Sequence, residues 1–488
     1  MYEQEKIRIK KLKRIKLLGI NPYPNLKLKL NYNINLILKN KKKIIKNKKK
    51  ILIAGRIFSI RNMGKSTFSD IKDYSDKKIQ LFYKINNLNK KYINNEYYIN
   101  LFKKYLDIGD IIFIKGKLFI TKVKEYTILV NKIILLSKCI YPIPNIKIKK
   151  KKIYDKFKNQ EKRYRMRYID LIVNKNVKKN FIIRSLIINY IRKFLNKFNL
   201  LEVDTPILQN IPGGANAKPF ITYHNKFKKS FYLRISNELF LKKLIVGGFK
   251  GVYEFSRNFR NESIDRKHNP EFTILEFYIS YKNYKWMMNF MCKLLKYICI
   301  KTFNKYKLNI NNKIIDFSKK IKKIKLFDCI NNEINFNINE NTRLKELIII
   351  CKKLKIDIPI KKKDKIIDNI FNKYCKKKIK NPIFITDFPT YMSPLAKSKN
   401  KNNKLTERFE LYINSKEIAN SYTELNNPIE QLKRFKKQNK NKIDKDFIKS
   451  LKIGLPPTVG IGIGIDRLIA LLTNNDNIQE VILFPQMK

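Results

Sequence analysis

The sequence predicts an α+β protein, with a small β-barrel ahead of a larger part in which strands and helices interleave. Three observations predict it. Residues 51–137 contain five short alternating apolar segments with glycines at their bends, the pattern of a small antiparallel barrel. The stretch FSRNFRNESIDRKHNPEFTILEFY at 255–278 alternates with period two across 252–262 and again across 271–279, as an adjacent strand pair does. Residues 181–206 read as a helix followed by a strand ending at a proline, and 460–472 as a GxGxG run opening a helix.

In chain order, residues 1–20 form a basic amphipathic helix closed by Gly19 and the turn-rich INPYPN, and 26–50 are a Lys/Asn/Ile-rich connector, so 1–50 is an N-terminal basic helix and connector. The barrel occupies 51–140, built from ILIAGRIFSI, STFSDIKDY, KKIQLFYKI, DIIFIKGKLFI and YTILVNKIILLS. YPIPN and the lysine run after it make a linker at 141–153, and the larger domain spans 154–488. Within it, about 285–380 alternates helix-like and lysine-rich pieces that suggest no chemistry. No internal repeat of solenoid period is apparent.

A chain of 488 residues can bury more than one core. Lys and Arg number 108 against 39 Asp and Glu, a formal charge of +69 that permits a polyanionic partner. The lysines are dispersed, however, and Lys, Ile and Asn crowd every segment, so most of the excess is compositional drift. The six cysteines form no CxxC pair and lie far from the two histidines, which points away from structural zinc and toward reduced thiols. No apolar run reaches bilayer-spanning length, and the N-terminus lacks a hydrophobic signal core. The expectation is a cytoplasmic protein without membrane association.

Alternation puts Asn258, Arg260 and Glu262 on one strand face with Phe255 and Phe259 on the other, and sends Phe272, Glu276 and Tyr278 one way along the second strand. A cation, several carboxylates and an aromatic plane above an apolar underside suit a zwitterionic or phosphorylated ligand. Acids are scarce in this chain, yet Glu407, Glu410, Glu417 and Glu424 crowd into 407–424, which suggests that cations bind there. A hairpin turning at Asn414-Ser415 pairs Tyr412 with Glu417 and makes Glu410 its diagonal neighbour, so both carboxylates can hold one hard cation. Strict alternation sends Asn420 and Glu424 to the face opposite Glu417, so a bulge or strand end must intervene if they share one pocket.

FRNE followed by HNPEFT resembles the second signature motif of class II aminoacyl-tRNA synthetases, and closely that of the lysyl-tRNA synthetase family. FIIRSLIINYIRKFLNKFNLLEVDTP (181–206) and GIGIGIDRLIALL (460–472) are similar to the first and third motifs, in the right order. QEKRYRMRYIDLI, the AGRI…GK…F…IQL…GD…KGK succession and the opening helix with INPYPN resemble the same family. The likeness covers nearly the whole chain and is weakest in about 285–380.

The resemblance implies an N-terminal OB-fold anticodon-binding domain, with Arg56, Phe68, Gln80 and Glu125 contacting the anticodon of tRNA(Lys). It implies a class II catalytic domain built on a mixed, mainly antiparallel sheet flanked by helices, with the 285–380 stretch as a drifted insertion. For L-lysine it assigns Gly214 and Glu238 to the α-ammonium and Arg260 to the carboxylate. Glu276, Tyr278 and Glu424 take the ε-ammonium, with Asn420 nearby. For ATP it assigns Arg260, Glu262, His268, Asn269, Phe272, Gly462, Gly464 and Arg467, with Gly460 in the same glycine run, and Glu410 and Glu417 as carboxylates for Mg2+. Phe272 and Arg467 sandwich the adenine in this scheme, and Arg260 and Arg467 carry the charge stabilisation of catalysis.

The implied reaction is formation of lysyl-adenylate from lysine and ATP, then transfer of the lysyl group to the 3′ end of the tRNA. A homodimer is also implied, through the apolar stripe Ile183, Ile187, Ile191, Phe194 and Phe198. The chain departs from the family pattern at Asn237, where proline is usual, and at Ser263, where glycine is. It also departs at Ala419 and Ser421 and at the Asn414-Ser415 turn, all places where glycines are common. The alternatives are an aspartyl- or asparaginyl-type enzyme, a paralogue that modifies a protein, and a catalytically inactive tRNA-binding protein.

Overall fold

The five alternating segments of the N-terminal region close into a barrel in the computed structural model, which describes residues 3–64, 66–84, 104–144, 147–149, 152–154, 157–438 and 443–487. Contacts divide the chain into two units, Met1–Lys175 and Asn176–Lys488. The expected linker at 141–153 lies partly outside the described residues.

In the first unit, β1 (Lys50–Met63), β2 (Ser66–Lys72), β3 (Lys78–Lys84), β4 (Ile111–Ile120) and β5 (Tyr126–Ser137) run in the order β1-β2-β3-β5-β4. The barrel is not wholly antiparallel as expected, because β3 and β5 pair in parallel. Five strands around a closed ring cannot all alternate direction, so one parallel pair is unavoidable. Ile53, Ile71, Leu81, Ile114 and Ile128 fill the interior, and Ile15 of helix α1 (Glu3–Leu17) joins them. Lys138, buried, sits between Asp107 at 2.6 Å and Asp110 at 2.9 Å, and Lys11 of α1 reaches Asp107 at 2.6 Å. These pairs tie α1 to the barrel end.

The second unit is built on eight strands: β6 (Leu201–Glu202), β7 (Gly251–Phe259), β8 (Glu271–Ser280), β9 (Lys322–Lys325), β10 (Ile383–Thr386), β11 (Arg408–Ile413), β12 (Lys416–Thr423) and β13 (Thr458–Gly464). Their order is β9-β10-β11-β12-β13-β8-β7-β6, antiparallel except for the β9–β10 and β7–β6 pairs at the two edges. One face carries the main core. Helices α2 (Lys175–Asn196), α4 (Tyr284–Phe303) and α5 (Ile465–Leu472) cover it, with α3 (Glu238–Val246) packing elsewhere on the sheet. Arg184 of α2 pairs with Asp466 of α5 at 2.6 Å, and Asp466 accepts a 2.8 Å hydrogen bond from the Thr273 amide of β8. One carboxylate thus ties together all three signature segments.

The α2 stripe corrects one expectation. Ile187, Ile191 and Phe194 are buried in this chain's own core, and Ile183 packs against it, so most of the stripe is spent within one subunit. Exposed apolar area lies instead on Ile182 and Leu186 and on the hairpin Ile221–His224/Lys229–Leu233, where Ile221 is 67% and Phe227 66% exposed.

Much of the 285–380 stretch forms a satellite core of its own, with Leu326, Ile330, Leu347, Ile367 and Phe371 packing on Ile385 and Tyr412 of the sheet. Its sequence looked featureless because short helices of eight to ten residues, Leu326–Ile334, Leu344–Lys353 and Lys363–Ile370, bury one side each.

Candidate active site

The other face of the sheet is polar and concave. A cavity of about 1160 Å³ opens over β8, β12 and β13, lined by side chains from the loop after β7, from α3 and from β11. Glu276 stands opposite Glu254 of β7 and Gly462 of β13, and Tyr278 opposite Gly460. Phe272, Glu276 and Tyr278 therefore rise on one face as expected, while the alternate glycines of β13 leave the floor beside them without side chains. β7 ends at Phe259, one residue before Arg260, so Arg260 and Glu262 belong to the loop and not to a strand face.

At one end of the cavity the carboxylates of Glu238, Glu276 and Glu424 are all buried. Tyr278 donates a 3.2 Å hydrogen bond to Glu276 Oε2, and Ser236 Oγ approaches Oε1 at 3.4 Å. No cation pairs with Glu276 among the described residues. Burial, then the neighbouring charge of Glu238, pushes its carboxyl up to about 8. Glu238 begins α3, accepts a 2.6 Å bond from the Tyr422 hydroxyl and pairs with Lys242 one turn along at 2.5 Å. Gly214 holds φ +83° against Ser236, and a Cβ there would meet Ser236 Oγ at 2.9 Å.

Glu424 is the exception among the expected lysine-site residues. It is 1% exposed, does not line the cavity, and forms an ion pair with Lys242. Burial raises its carboxyl well above the ordinary range, Lys242 opposing that and Glu238 adding to it. Gly460 makes room for it. A Cβ there would lie 2.3 Å from both Glu424 Oε1 and Tyr278 Cε1.

At the other end, Arg260 stacks on Phe272 with its guanidinium carbon 5.1 Å from the ring centroid. Its Nε is buried without a hydrogen-bond partner, and no carboxylate pairs with it among the described residues. Burial opposes its charge, more than Glu262 and Glu276 support it, so the group lacks an anion. Glu262, His268 and Asn269 line the same end. His268 Nδ1 lies 2.9 Å from Asp265 in an exposed loop, and the Asn269 amide donates to Glu271 O at 2.6 Å. Arg467 reaches Glu417 Oε2 at 3.4 Å, and Gly464 has only ordinary contacts at a Cβ position.

Glu410, Glu417 and Asn420 come together through a bulge. Tyr412 pairs with Glu417, as expected, but Leu411 pairs with Ala419, so Ile418 is an extra residue. Glu410 then stands opposite Asn420, and all three side chains line the cavity. Asn414 at φ +48° and Ser415 at φ +61° make the turn without glycine. Their amides bond to Lys380 O at 2.9 Å and Ile379 O at 2.8 Å, which offsets the strain.

Burial raises the Glu410 carboxyl to about 7 despite Arg408, which pairs with it at 2.5 Å. Its other oxygen accepts from the Tyr412 hydroxyl at 2.7 Å. Among the described residues no cluster of three or more metal-ligating side chains forms. Two hard carboxylates facing a cavity fit a cation that takes its other ligands from a bound phosphate chain and water.

Several residues of the site escaped sequence reasoning. Arg408 and Lys242 are two more lysines or arginines in a chain full of them. Arg234 neutralises the buried Glu254 at 2.7 Å, and Asn237, standing where proline is usual, donates to the same carboxylate at 2.8 Å. Ser421, where glycine is common, is buried with its hydroxyl donating to Gly460 O at 2.7 Å. From the supposedly featureless stretch, Asp368, Phe371 and Lys376 line the cavity.

On the barrel of the first unit, strand register sets Arg56, Phe68 and Gln80 on the outward side, since Arg56 pairs with Lys72 and Gln80 with Asp70. Phe68 packs tilted against Phe82 with ring centroids 4.7 Å apart, and Phe119 lies 6.1 Å beyond, two aromatics that the sequence reading missed. Arg56 donates to Gly109 O at 2.7 Å, Gln80 is buried and accepts from Thr127 at 2.9 Å, and Glu125 is exposed at a turn.

Residues 159–488 match the family of class II tRNA synthetases (D, K and N), and 51–136 match the OB-fold nucleic acid binding domain. The chain is 47% identical to the lysine–tRNA ligase of Azobacteroides pseudotrichonymphae genomovar. CFP2, covering 100% of the chain and 99% of that relative. It is 45% identical to the lysine–tRNA ligase of Porphyromonas gingivalis (strain ATCC BAA-308 / W83), over 100% of the chain and 86% of that protein. The corresponding protein of Aquifex aeolicus (strain VF5) is 42% identical, over 90% and 73%.

Proposed function

The chain belongs to the lysine–tRNA ligase family of class II tRNA synthetases, an ATP-dependent ligase with lysine, ATP and tRNA as substrates, and from that premise we propose how its residues divide the work. The ε-ammonium of lysine sits against Glu276 and Tyr278, and the α-ammonium against Glu238 beside Gly214. The lysine carboxylate and the α-phosphate share Arg260, while Phe272 and Arg467 flank the adenine. The observation that carries this is the pairing of a buried Glu276 without a counter-ion at one end of the cavity with an unpaired Arg260, its Nε buried, at the other. A dicationic amino acid with a carboxylate, joined to a phosphate anion, supplies what both lack.

Activation is an in-line displacement. A lysine carboxylate oxygen bonds to the α-phosphorus as pyrophosphate leaves, which yields lysyl-adenylate. A ribose hydroxyl of the terminal tRNA adenosine then attacks the lysyl carbonyl and AMP leaves. Arg260 and Arg467 orient the phosphate and balance its developing charge, so positioning and electrostatics provide the acceleration. Glu410 and Glu417 would hold Mg2+, which when bound neutralises phosphate charge. Glu262, His268, Asn269 and the open backbone at Gly462 and Gly464 line the nucleotide's path.

Three further parts of the proposal concern partners and place. Phe68, with Arg56, Gln80 and Glu125 around it, stacks on anticodon bases of tRNA(Lys). A second copy covers the apolar hairpin and the exposed side of α2, so light scattering should return the mass of a dimer. A cytoplasmic location accords with six free cysteines. Among the described residues no helix is long and apolar enough to cross a membrane.

Pyrophosphate exchange into ATP, run separately with lysine, asparagine and aspartate, tests the central reading. Lysine should drive it. Exchange driven best by aspartate or asparagine would overturn the lysine assignment, and no exchange at all would support an inactive tRNA binder.

A further inference from the structure

Lys242 is 1% exposed, a long cation with no route to water. Its Nζ lies 2.5 Å from Glu238 Oε1 and forms a second ion pair with Glu424. The same nitrogen sits 5.5 Å from the centroid of the Tyr422 ring and 5.9 Å from that of Phe447. Helix α3 supplies Glu238, the end of β12 supplies Tyr422 and Glu424, and β8 supplies Glu276 and Tyr278. Phe447 closes the far side with an apolar ring. Burial disfavours the ammonium, but Glu238 and Glu424 outweigh it and hold Lys242 above the usual lysine range.

Charge counting gives this cation a purpose. Without Lys242 the pocket would gather three buried carboxylates, Glu238, Glu276 and Glu424. With it, and once an arriving ammonium has displaced the proton of Glu276, two negative charges remain, the number that the two ammonium groups of lysine can match. We propose that Lys242 is a specificity-determining positioning residue, a resident ammonium that cancels one of three buried carboxylates and so tunes the pocket to a substrate with two ammonium groups. It acts through Glu238 and Glu424 and does not itself line the cavity. This inference rests on the lysine–tRNA ligase reading and goes beyond it, since it assigns the charge balance to a residue outside the contact shell.

A purely structural strut would need Lys242 only as a hydrogen-bond donor. Lys242→Gln keeps a donor and removes the charge; Lys242→Arg keeps the charge. In lysine-dependent pyrophosphate exchange, Lys242→Gln should raise the lysine KM by roughly 30-fold or more, the loss expected when a buried charge is left unbalanced. The ATP KM should stay within about twofold. The acid limb of kcat/KM for lysine should also move to higher pH, because the carboxyl groups of Glu276 and Glu424 hold their protons more tightly. Lys242→Arg should restore most of the lost lysine affinity.

The proposal is overturned if Lys242→Gln leaves the lysine KM and its pH profile unmoved, or raises both KM values together. It is equally overturned if folded Lys242→Arg loses lysine use by tenfold or more, an outcome that decides the matter even if the glutamine variant does not fold. Failure of the unmodified enzyme to exchange with lysine is a different result and would sink the underlying reading.

Discussion

Tyr278 hydrogen-bonds Glu276 from two residues along the same strand, its hydroxyl 3.2 Å from Oε2, and no cation reaches that carboxylate among the described residues. The pair is oriented by β8 and left short of a counter-charge. Glu276→Gln keeps the shape and loses the charge. It should raise the lysine KM by roughly 10- to 100-fold, the worth of a buried charge-assisted hydrogen bond, with the ATP KM unmoved. An unchanged lysine KM in exchange kinetics would remove Glu276 from the ε-ammonium site.

The same carboxyl gives a pH signature. Burial holds Glu276 up to about 8, so in the empty site at pH 7 it carries a proton that an arriving ammonium displaces. Lysine binding should therefore release a proton at pH 7, and affinity should rise as pH increases from about 6 to 8. Calorimetry in two buffers of different ionisation enthalpy reads the release directly; buffer-independent heats would contradict it.

Glu410→Gln should move the magnesium requirement. With one of two carboxylates neutral, the concentration for half-maximal exchange should rise several-fold while saturating lysine leaves the shift in place. A magnesium titration identical to that of the unmodified chain would place the cation elsewhere.

Gly460→Ala puts a methyl 2.3 Å from Glu424 and Tyr278 together. Overpacking of this kind costs about 1–3 kcal/mol, and here it falls on the lysine end of the cavity. The expected result is a lower melting temperature with a raised lysine KM. Gly462→Ala, whose Cβ has only contacts of 3.3 Å and longer with protein atoms, should melt close to the unmodified chain.

Phe68→Ala should weaken tRNA charging and spare pyrophosphate exchange, since the barrel takes no part in adenylate formation. Loss of one stacking platform is worth about 1–3 kcal/mol. A tRNA KM that does not move would point instead to Phe82 and Phe119 as the stacking surface.

The barrel strands, the strand pair of 255–278 up to the end of its first strand at Phe259, and the Tyr412–Glu417 hairpin were legible because period-two alternation and turn residues are local signals. Resemblance supplied the roles of Arg260, Glu276 and Arg467. The sequence required a bulge or strand end if Asn420 was to share a pocket with Glu417, but nothing in KEIANSYTEL reveals that the extra residue is Ile418. The stripe Ile187–Ile191–Phe194 was legible as apolar, but sequence period does not say whether a core or a partner covers it.

Lys242 marks the boundary between the two kinds of knowledge. By itself the sequence determined the order of elements and the residue types of the site, because strand and helix periods and short motifs act over a few neighbours. Only the tertiary structure decided which charges meet. Glu238, Lys242 and Glu424 come from one helix and a distant strand end, and in a chain of +69 no composition could single out a lysine that is buried between two acids. Burial is a property of the packed sheet, and burial between two carboxylates turns an ordinary lysine into a fixed charge.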